Sequence, residues 1–343
     1  MKKLRVALLV HEDFLPPDDL GELPEKEREH YKTEHAVHQA LLELGHEPHY
    51  VAVSDDLGPI RGILHGWKPD VSFNLIMEFR NIGALQVHIA SYLELLGASF
   101  TGCNSAGILL TRDKVLSKKI LRFHRIRTPR FALFRQGRVV RKPAALRFPL
   151  IVKSKSEEAS LGISQASIVR SEEKLAERVA FIHENVEPEA LAEEYIEGRE
   201  LTVSVLGNER LTTFPPWELF FRNLPESSEA IATERAKFDL AYQKRAGIEN
   251  GPADPMPDDI AHRIATLARR VYRACSLSGY ARVDLRLTEE EKLYVIEVNA
   301  TPDLSRDEDL ALSAAKAGIP YERLIQRILN LGIRYQAPWS GWG

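Results

Sequence analysis

The apolar residues in the first hundred positions follow two different periodicities. Residues 4–10 form an apolar run of strand length, as expected for a strand of a parallel sheet covered on both faces, and residues 71–76 read as another strand. In residues 34–44 and 84–96, apolar positions instead recur every three or four residues, which is typical of amphipathic helices. This alternation predicts an open α/β domain that ends near Ser105, with ligand-binding loops at the carboxyl ends of its strands.

The rest of the chain mixes helices and strands less regularly. A single basic helix is predicted at residues 106–123, two strands at 190–206, a long irregular stretch at 220–255 and an amphipathic helix at 257–276. Irregular stretches of that length in compact domains are usually functional loops, so 220–255 is expected to be a mobile lid.

The most informative stretch is residues 279–303, which read as two short strands joined by a charged turn. Side chains alternate along a strand, so Arg282 and Asp284 share one face of the first strand. Glu297 and Asn299 share one face of the second. Antiparallel pairing is expected to bring Arg282 opposite Asn299 and Asp284 opposite Glu297.

This register depends on a four-residue turn at 289–292, which would also pair Thr288 with Leu293. Like charges directly opposite each other destabilise a β-ladder, so Asp284 and Glu297 predict a cation between them. Two carboxylates and an amide suit Mg²⁺. The spacing alone leaves a second interpretation equally open, in which these carboxylates lie on the solvated face of an ordinary hairpin.

Two lysines are candidates for contacts with nucleotide phosphates. Lys153 ends an apolar strand and precedes a loop of small and polar residues at 155–163, whose backbone N–H groups can face phosphate oxygens. The loop lacks the Walker A spacing, so the pattern is weak. Lys114 lies on the predicted basic helix, and a basic helical face is usually solvated.

Composition excludes several classes of protein. The chain has 343 residues, 44% of them hydrophobic and 28% charged, with a net charge of −3. This length predicts two or three domains, and the charge predicts neither a nucleic-acid nor a membrane partner. Two cysteines exclude a disulfide framework and favour a reducing cytoplasm. The apolar start ends at His11, which is too short for a signal peptide.

Several segments, in this order and spacing, resemble the ATP-grasp superfamily and, within it, the D-alanine–D-alanine ligases. They are FPLIVKS (148–154), LAEEYIEGRELTVSVLG (191–207), GYARVDLRL (279–287) and YVIEVNATPD (294–303), with LELLG, TG and RDKVLSKKIL between residues 93 and 121. The resemblance implies a three-domain α/β ATP-grasp fold in which ATP lies between the second and third domains. The expected divisions are an N-terminal domain at 1–105, a central one at 106–192, a catalytic one at 193–335 and a tail at 336–343.

The resemblance also implies an enzyme that joins a carboxylate to an amine with ATP and Mg²⁺, or Mn²⁺ as an alternative metal. Its partners would be a small-molecule acid and amine, and a homodimer is compatible with it. The implied roles are metal binding for Asp284, Glu297 and Asn299, acyl-phosphate stabilisation for Arg282, phosphate binding for Lys114, Lys153 and the lid residue Lys237, adenine binding for Glu193 and Ile196, ribose binding for Glu200, and contact with the second substrate for Asp303, Ser305 and Asp307.

The chain departs from these ligases at substrate-facing positions. The H-G and G-E-D-G motifs are absent, Ala159 and Phe238 replace a serine and a lid tyrosine, and Asp303 replaces a glycine. D-Alanine specificity is therefore not expected. The acidic run at 303–309 predicts an amine that carries an extra positive charge or lacks a free carboxylate. A capping box formed by Ser305 and Glu308 accounts for part of the same run equally well.

Two other functions remain open on the sequence. One is a catalytically silent nucleotide-binding protein with a regulatory or assembly role, and the other is an ATP-grasp kinase that stops at phosphorylation. Arg282 argues against the first, because a protein that only binds nucleotide needs the metal carboxylates but no arginine on an acyl phosphate. Release of ADP that depends on an added amine would distinguish a ligase from a kinase.

Overall fold

The computed structural model describes residues 2–17, 19–21, 23–156, 162–225 and 228–340, without the side chains of Lys237 and Phe238. The expectations for Ala159 and for those two side chains therefore lie outside the described residues. Within them, the strands form three separate sheets. The fold class expected from the sequence, α/β, is confirmed.

The first sheet is parallel, with the strand order β2-β1-β3. Its elements are β1 (Arg5–His11), α1 (Glu25–His30), α2 (Lys32–Glu43), β2 (Glu47–Val53), α3 (Gly58–Gly66), β3 (Val71–Asn74) and α4 (Gln86–Leu95). Residues 6–10 of β1 are completely buried, as their continuous apolar run predicts.

The second sheet is antiparallel, with the order β4-β7-β5-β6. Its part of the chain contains α5 (Ser105–Arg112), α6 (Lys114–Phe123), β4 (Phe131–Arg135), β5 (Leu150–Ser154), β6 (Ile168–Val169), α7 (Glu172–Asn185) and β7 (Glu189–Glu194). The single helix predicted at 106–123 is wrong, because Asp113 adopts an extended backbone between α5 and α6. Its carboxylate accepts hydrogen bonds from the N–H groups of Val115 and Leu116, both at 2.9 Å, and so caps α6.

The third sheet is also antiparallel, with the order β11-β10-β8-β12-β13 and β9 paired to β8. Its part of the chain contains β8 (Arg199–Leu206), β9 (Thr212–Thr213), β10 (Trp217–Phe221), α8 (Glu234–Phe238), α9 (Leu240–Ala246), β11 (Ile248–Pro252), α10 (Asp258–Ala274), β12 (Tyr280–Leu287), β13 (Leu293–Asn299), α11 (Asp309–Lys316) and α12 (Tyr321–Arg334). The stretch at 220–255 is thus not irregular throughout. It holds two short helices, and β11 pairs with β10 as the edge strand.

The two strands at 190–206 do not form a hairpin, because β7 belongs to the second sheet and β8 to the third. The boundary expected after residue 192 falls inside β7, whose pairing with β5 continues to Glu194. We place the boundary after Glu194. The chain turns at Gly198, which has a φ of +138°, and a Cβ there would lie 2.2 Å from the carbonyl oxygen of Leu287.

The β12–β13 hairpin has the register that the sequence predicts at its functional end. Arg282 pairs with Asn299, and Asp284 pairs with Glu297. Beyond Asp284 the register shifts by one residue, so the predicted pairing near the turn is wrong: Leu293 pairs with Leu287 instead. The turn comprises five residues, 288–292, instead of the expected four, and a β-bulge adds one unpaired residue to β13. The two additional residues offset each other, so the pairing of Asp284 with Glu297 is the predicted one.

The first and third sheets share one hydrophobic core, whereas the second sheet and α7 enclose a core of their own. At the junction of the first and third sheets, Gly279 approaches the backbone of Gly102 closely. A Cβ on Gly279 would lie 2.3 Å from the Gly102 carbonyl oxygen, and Gly279 has a φ of +69°. Among the described residues, no helix is long and apolar enough to cross a lipid bilayer.

We predict that Gly279→Ala lowers the free energy of unfolding more than Gly45→Ala does. Both glycines have left-handed backbones, with φ of +69° and +79°, but a Cβ on Gly45 would meet nothing within 4 Å. Both variants therefore carry the conformational strain, and the Gly279 variant also carries a backbone clash of about 1–3 kcal/mol. Urea unfolding measures the difference. Equal destabilisation would show that the junction relaxes around the added methyl group.

Candidate active site

A small cavity of about 110 Å³ lies between the second and third sheets. Its walls include six of the residues predicted from separate motifs: Lys153, Glu193, Ile196, Glu200, Asp284 and Glu297. The segments that carry them lie on β5, β7, the β7–β8 connection, β8, β12 and β13. The fold thus brings these six residues to one cavity, whereas Lys114, Arg282 and Asn299 are not among its described lining residues.

The paired carboxylates on the hairpin are each neutralised by a cation. Arg282 donates two hydrogen bonds to Asp284, at 2.7 and 3.0 Å, in a bidentate contact. The ammonium of Lys114 lies 3.0 Å from the Glu297 carboxylate. Burial lowers the pKa of Arg282, but the contact with Asp284 outweighs it and holds that pKa above its ordinary value. These cations explain how two carboxylates can face each other across the ladder.

The third donor predicted for a metal is Asn299, at the end of β13. Its side-chain oxygen accepts a hydrogen bond of 2.8 Å from the N–H of Thr301, which fixes the amide orientation. Across the described part of the chain there is no group of three His, Cys, Asp or Glu residues that could hold a metal. The predicted set of two carboxylates and an amide oxygen nevertheless fits the donor preference of Mg²⁺.

A buried chain of lysine and glutamate connects the helix α6 to both sheets. Glu193 on β7 lies 3.2 Å from the ammonium of Lys118 and 3.5 Å from that of Lys153. Lys118 also donates a 2.7 Å hydrogen bond to the carbonyl oxygen of Ile296, beside the β-bulge. Burial lowers the pKa of Lys118 to about 8. For Lys153 burial also lowers the pKa, but the attraction of Glu193 outweighs it and the net shift is upward.

Lys118 is a site residue that the sequence reasoning missed. It follows Lys114 by four positions, so both lie on one face of α6. That spacing was a usable signal. The predicted basic face of this helix is therefore not solvated at these two positions, which are 5% exposed at Lys114 and 1% at Lys118.

A second missed residue is Arg286, on the same face of β12 as Arg282 and Asp284. It donates to the Glu200 carboxylate and to the carbonyl oxygens of Gly198 and Ala230, the last two at 2.9 and 2.7 Å. Arg286 thus fixes Glu200 at the edge of the cavity. Alternation along β12 places this arginine on the functional face, which was the available signal.

A larger cavity, about 460 Å³, lies between the first sheet and the loop that follows β13. Asp303 lines it and accepts hydrogen bonds from the hydroxyl of Thr33 and the N–H of Ser305, at 2.8 and 2.7 Å. Ser305 itself is buried. Asp307 is not a lining residue and instead pairs with Lys32 at 3.3 Å.

The capping box considered for Ser305 and Glu308 is not formed. The helix α11 begins only at Asp309, and Glu308, in the N-cap position, makes no side-chain capping hydrogen bond. Glu308 instead lies 3.6 Å from Lys32. A capping box therefore does not account for the acidic run. Asp303 lines the larger cavity, and Asp307 and Glu308 face Lys32 on α2. Asp309 instead accepts hydrogen bonds from Thr202 and Asn250 in the third sheet.

Glu34 on α2 also lines the larger cavity and is 7% exposed. Burial, together with the nearby Asp303 carboxylate, raises its pKa from 4.5 to about 7. The cavity thus presents a carboxyl group that changes its charge close to neutral pH.

The chain is similar to proteins of one family along most of its length. Residues 119–330 match the family model described as "D-ala D-ala ligase C-terminus". The D-alanine–D-alanine ligase of Moorella thermoacetica is 29% identical over 322 residues, which cover 90% of this chain and 96% of that protein. An uncharacterized protein of Sinorhizobium fredii, y4sG, is 33% identical over 309 residues, 87% of each chain. The chain belongs to the D-alanine–D-alanine ligase family. It is accordingly an ATP-dependent carboxylate–amine ligase, which confirms the enzyme class expected from the motifs.

A solved structure supports the fold assignment of this ligase. The crystal structure of the Bacillus anthracis D-alanine–D-alanine ligase complexed with ATP superposes with a TM-score of 0.73 at 22% sequence identity. The match covers 96% of this chain and 98% of that one. The ATP-grasp fold predicted from the sequence is therefore confirmed.

We predict that Glu34 makes the stability of this ligase depend on pH. The folded protein holds the Glu34 proton more tightly than the unfolded chain, so this contribution is present below pH 4.5 and is lost as pH rises through 7. Relative to Glu34→Gln, the parent should lose about 3 kcal/mol of unfolding free energy between pH 4.5 and 8. Urea titrations at several pH values measure it.

The matched control is Glu25→Gln, at an exposed position of α1. It makes the same Glu-to-Gln exchange at the protein surface and so reports any effect of the exchange that does not depend on burial. A difference between Glu34→Gln and the parent that stays constant across the pH range would contradict the raised pKa.

Proposed function

We propose that this ligase activates the carboxylate of an amino acid or short peptide as an acyl phosphate and transfers the acyl group to an amine. A carboxylate oxygen attacks the γ-phosphorus of ATP, the bond from that phosphorus to the bridging oxygen breaks, and ADP leaves. The amine nitrogen then attacks the acyl carbon, phosphate leaves with the bonding electrons, and the nitrogen loses a proton. The observation that supports this most is that Lys153, Asp284 and Glu297 line one cavity, with Arg282 hydrogen-bonded to Asp284.

Each group has a physical task in this scheme. Lys114 and Lys153 neutralise phosphate charge, which is most of what phosphoryl transfer requires of a protein. Arg282 can exchange its contact with Asp284 for the oxygens of the acyl phosphate and the tetrahedral oxyanion, where one fixed donor contributes about 3 kcal/mol. Glu193 and Ile196 would contact adenine, and Glu200, fixed by Arg286, the ribose hydroxyls. For Lys237 we retain the phosphate role that the motif implies.

Asp284, Glu297 and Asn299 would hold Mg²⁺ in this proposal. When bound, the metal would neutralise charge on the phosphate oxygens. The chain's own cations already balance both carboxylates, since Arg282 contacts Asp284 and Lys114 contacts Glu297. These contacts keep the site compact and electrically balanced until nucleotide supplies other partners for the two side chains.

The larger cavity would receive the amine in this proposal. Its described lining includes the acidic residues Glu29, Glu34, Glu78 and Asp303, against a single lysine, Lys32. A second carboxylate on the substrate would be repelled there by roughly 1–4 kcal/mol for each close pair. A cationic amine, or one without a free carboxylate, would be favoured. Asp303 occupies the position at which the D-alanine–D-alanine ligases that this chain resembles have a glycine.

We predict that Glu297→Gln reduces ATP turnover to about 1% or less while leaving the unfolding transition close to that of the parent. The change removes one negative charge from the metal site but preserves the shape of the side chain. Phosphate release measures turnover. Glu289→Gln, on the exposed turn of the same hairpin, is the control and should keep parental turnover. Normal turnover by Glu297→Gln would refute the metal assignment.

We further predict that basic amines support faster turnover than D-alanine offered as both acid and amine. Asp303→Asn should reduce that preference by about tenfold, because one close charge contributes on the order of 1 kcal/mol. Glu289→Gln is the control, since it removes one negative charge from an exposed turn that does not line this cavity. A panel of amines, with phosphate release as the readout, measures the preference. Fastest turnover with D-alanine alone would overturn it.

A further inference from the structure

We propose that a second cleft, separate from both substrate cavities, binds a small anion that carries two or more phosphate groups. The cleft lies where the end of α6, the connection from α6 to β4, and one face of α10 meet, and its volume is about 660 Å³. Six arginines line it: Arg122, Arg125, Arg127, Arg130, Arg263 and Arg270. Among the described residues that line it, none is an aspartate or a glutamate.

The positive charge of this cleft is not balanced by neighbouring carboxylates. Within the described part of the chain, no carboxylate oxygen lies within 4 Å of these six guanidinium groups. The acidic turn at 289–291 is adjacent, but Arg263 donates to the backbone carbonyl oxygen of Glu291, at 2.6 Å. Because the whole chain has a net charge of −3, this concentration of like charge is local. Like charges so placed repel one another, and a multivalent anion removes that repulsion.

Three of the guanidinium groups are held in place by backbone carbonyl oxygens. Arg130 donates to Ala145 at 3.0 Å and Arg270 to His124 at 3.2 Å, in addition to the contact of Arg263. An arginine has five N–H donors, so one contact with a backbone carbonyl leaves a pair of N–H groups that can bind phosphate. Side chains oriented before binding lose less conformational entropy on binding. The cleft is therefore preorganised for anion recognition.

The volume and the lining of the cleft favour a small ligand over a nucleic acid. Pockets for small molecules are typically about 300–1,000 Å³, and this volume falls in that range. Single-stranded nucleic acids are held by aromatic side chains on which bases stack. Of the described lining residues, none is Phe, Tyr or Trp. The recognised chemistry is thus a compact polyphosphate group.

The cleft and the ATP cavity are neighbours but have different walls. Pro129 lines both, whereas Lys153 and the hairpin carboxylates line only the ATP cavity. A polyphosphate can in principle enter either one. The test therefore compares variants in the arginine cleft with a variant in the ATP cavity, which identifies the cavity that binds the polyphosphate.

The experiment is isothermal titration of the full chain with inorganic tripolyphosphate in the absence of divalent metal. We expect one binding site per chain. The affinity for tripolyphosphate should fall about 30-fold or more in Arg125→Ala/Arg270→Ala, because the double variant loses two guanidinium groups that donate charge-assisted hydrogen bonds to phosphate. Arg138→Ala/Arg141→Ala removes the same charge from another exposed surface and should change affinity by less than about threefold. Lys153→Ala should retain the binding.

Three results would overturn the proposal. They are loss of binding in Lys153→Ala with retention in the Arg125/Arg270 variant, equal loss in both arginine pairs, and tighter binding of a single-stranded RNA through the same arginines. All the substituted arginines are exposed, and matching unfolding transitions would confirm that the variants fold. The experiment measures binding and not turnover. A negative result would therefore refute the anion site without refuting the proposed ligase reaction, and loss of the ligase proposal would not affect the anion site.

Discussion

The arrangement of this ligase depends on opposing two carboxylates across one β-hairpin. Asp284 and Glu297 pair directly between β12 and β13, where like charges destabilise the ladder unless cations accompany them. Arg282 comes from the same strand, and Lys114 comes from α6, far away in the sequence. The contact of Lys114 with Glu297 therefore ties the hairpin to the helix α6. This contact links the local chemistry of the hairpin to the packing of the whole catalytic region.

The second sheet is tied to that hairpin through buried charge. Glu193 on β7 contacts both Lys118 from α6 and Lys153 from β5, and Lys118 reaches the carbonyl of Ile296 beside the β-bulge. Removing one member of a buried ionic group typically costs about 3–5 kcal/mol, because its partner is left uncompensated. Since the second sheet has its own hydrophobic core, this polar connection and the cavity beside it define how the two sheets meet.

Charge also divides the surface of the molecule into contrasting sites. Four acids and a single lysine are among the described residues that line the larger cavity, whereas the arginine cleft beside α6 has no acid among its described lining residues. A nearly neutral chain can therefore present opposite fields at sites separated by only a few elements. Average composition, which argued against a polyanionic partner, describes neither site.

The sequence by itself determined the elements whose periodicity is local. The buried strand β1 and the amphipathic helix α10 follow from the periodicity of their apolar side chains, and the order of motifs identified the family. The pairing of Asp284 with Glu297 was predicted from a shorter turn, and it holds because a β-bulge offsets the additional turn residue. The periodicity of apolar side chains is a short-range effect, so it can be read from neighbouring residues.

Only the tertiary structure decided the properties that depend on residues far apart in the sequence. It showed that Lys114 and Lys118 are buried against acids rather than solvated, that β7 and β8 enter different sheets, and that no capping box forms before α11. Burial, ion pairing and sheet membership are set by residues far apart in the sequence, and the same chemical pattern is compatible with either outcome until those residues meet.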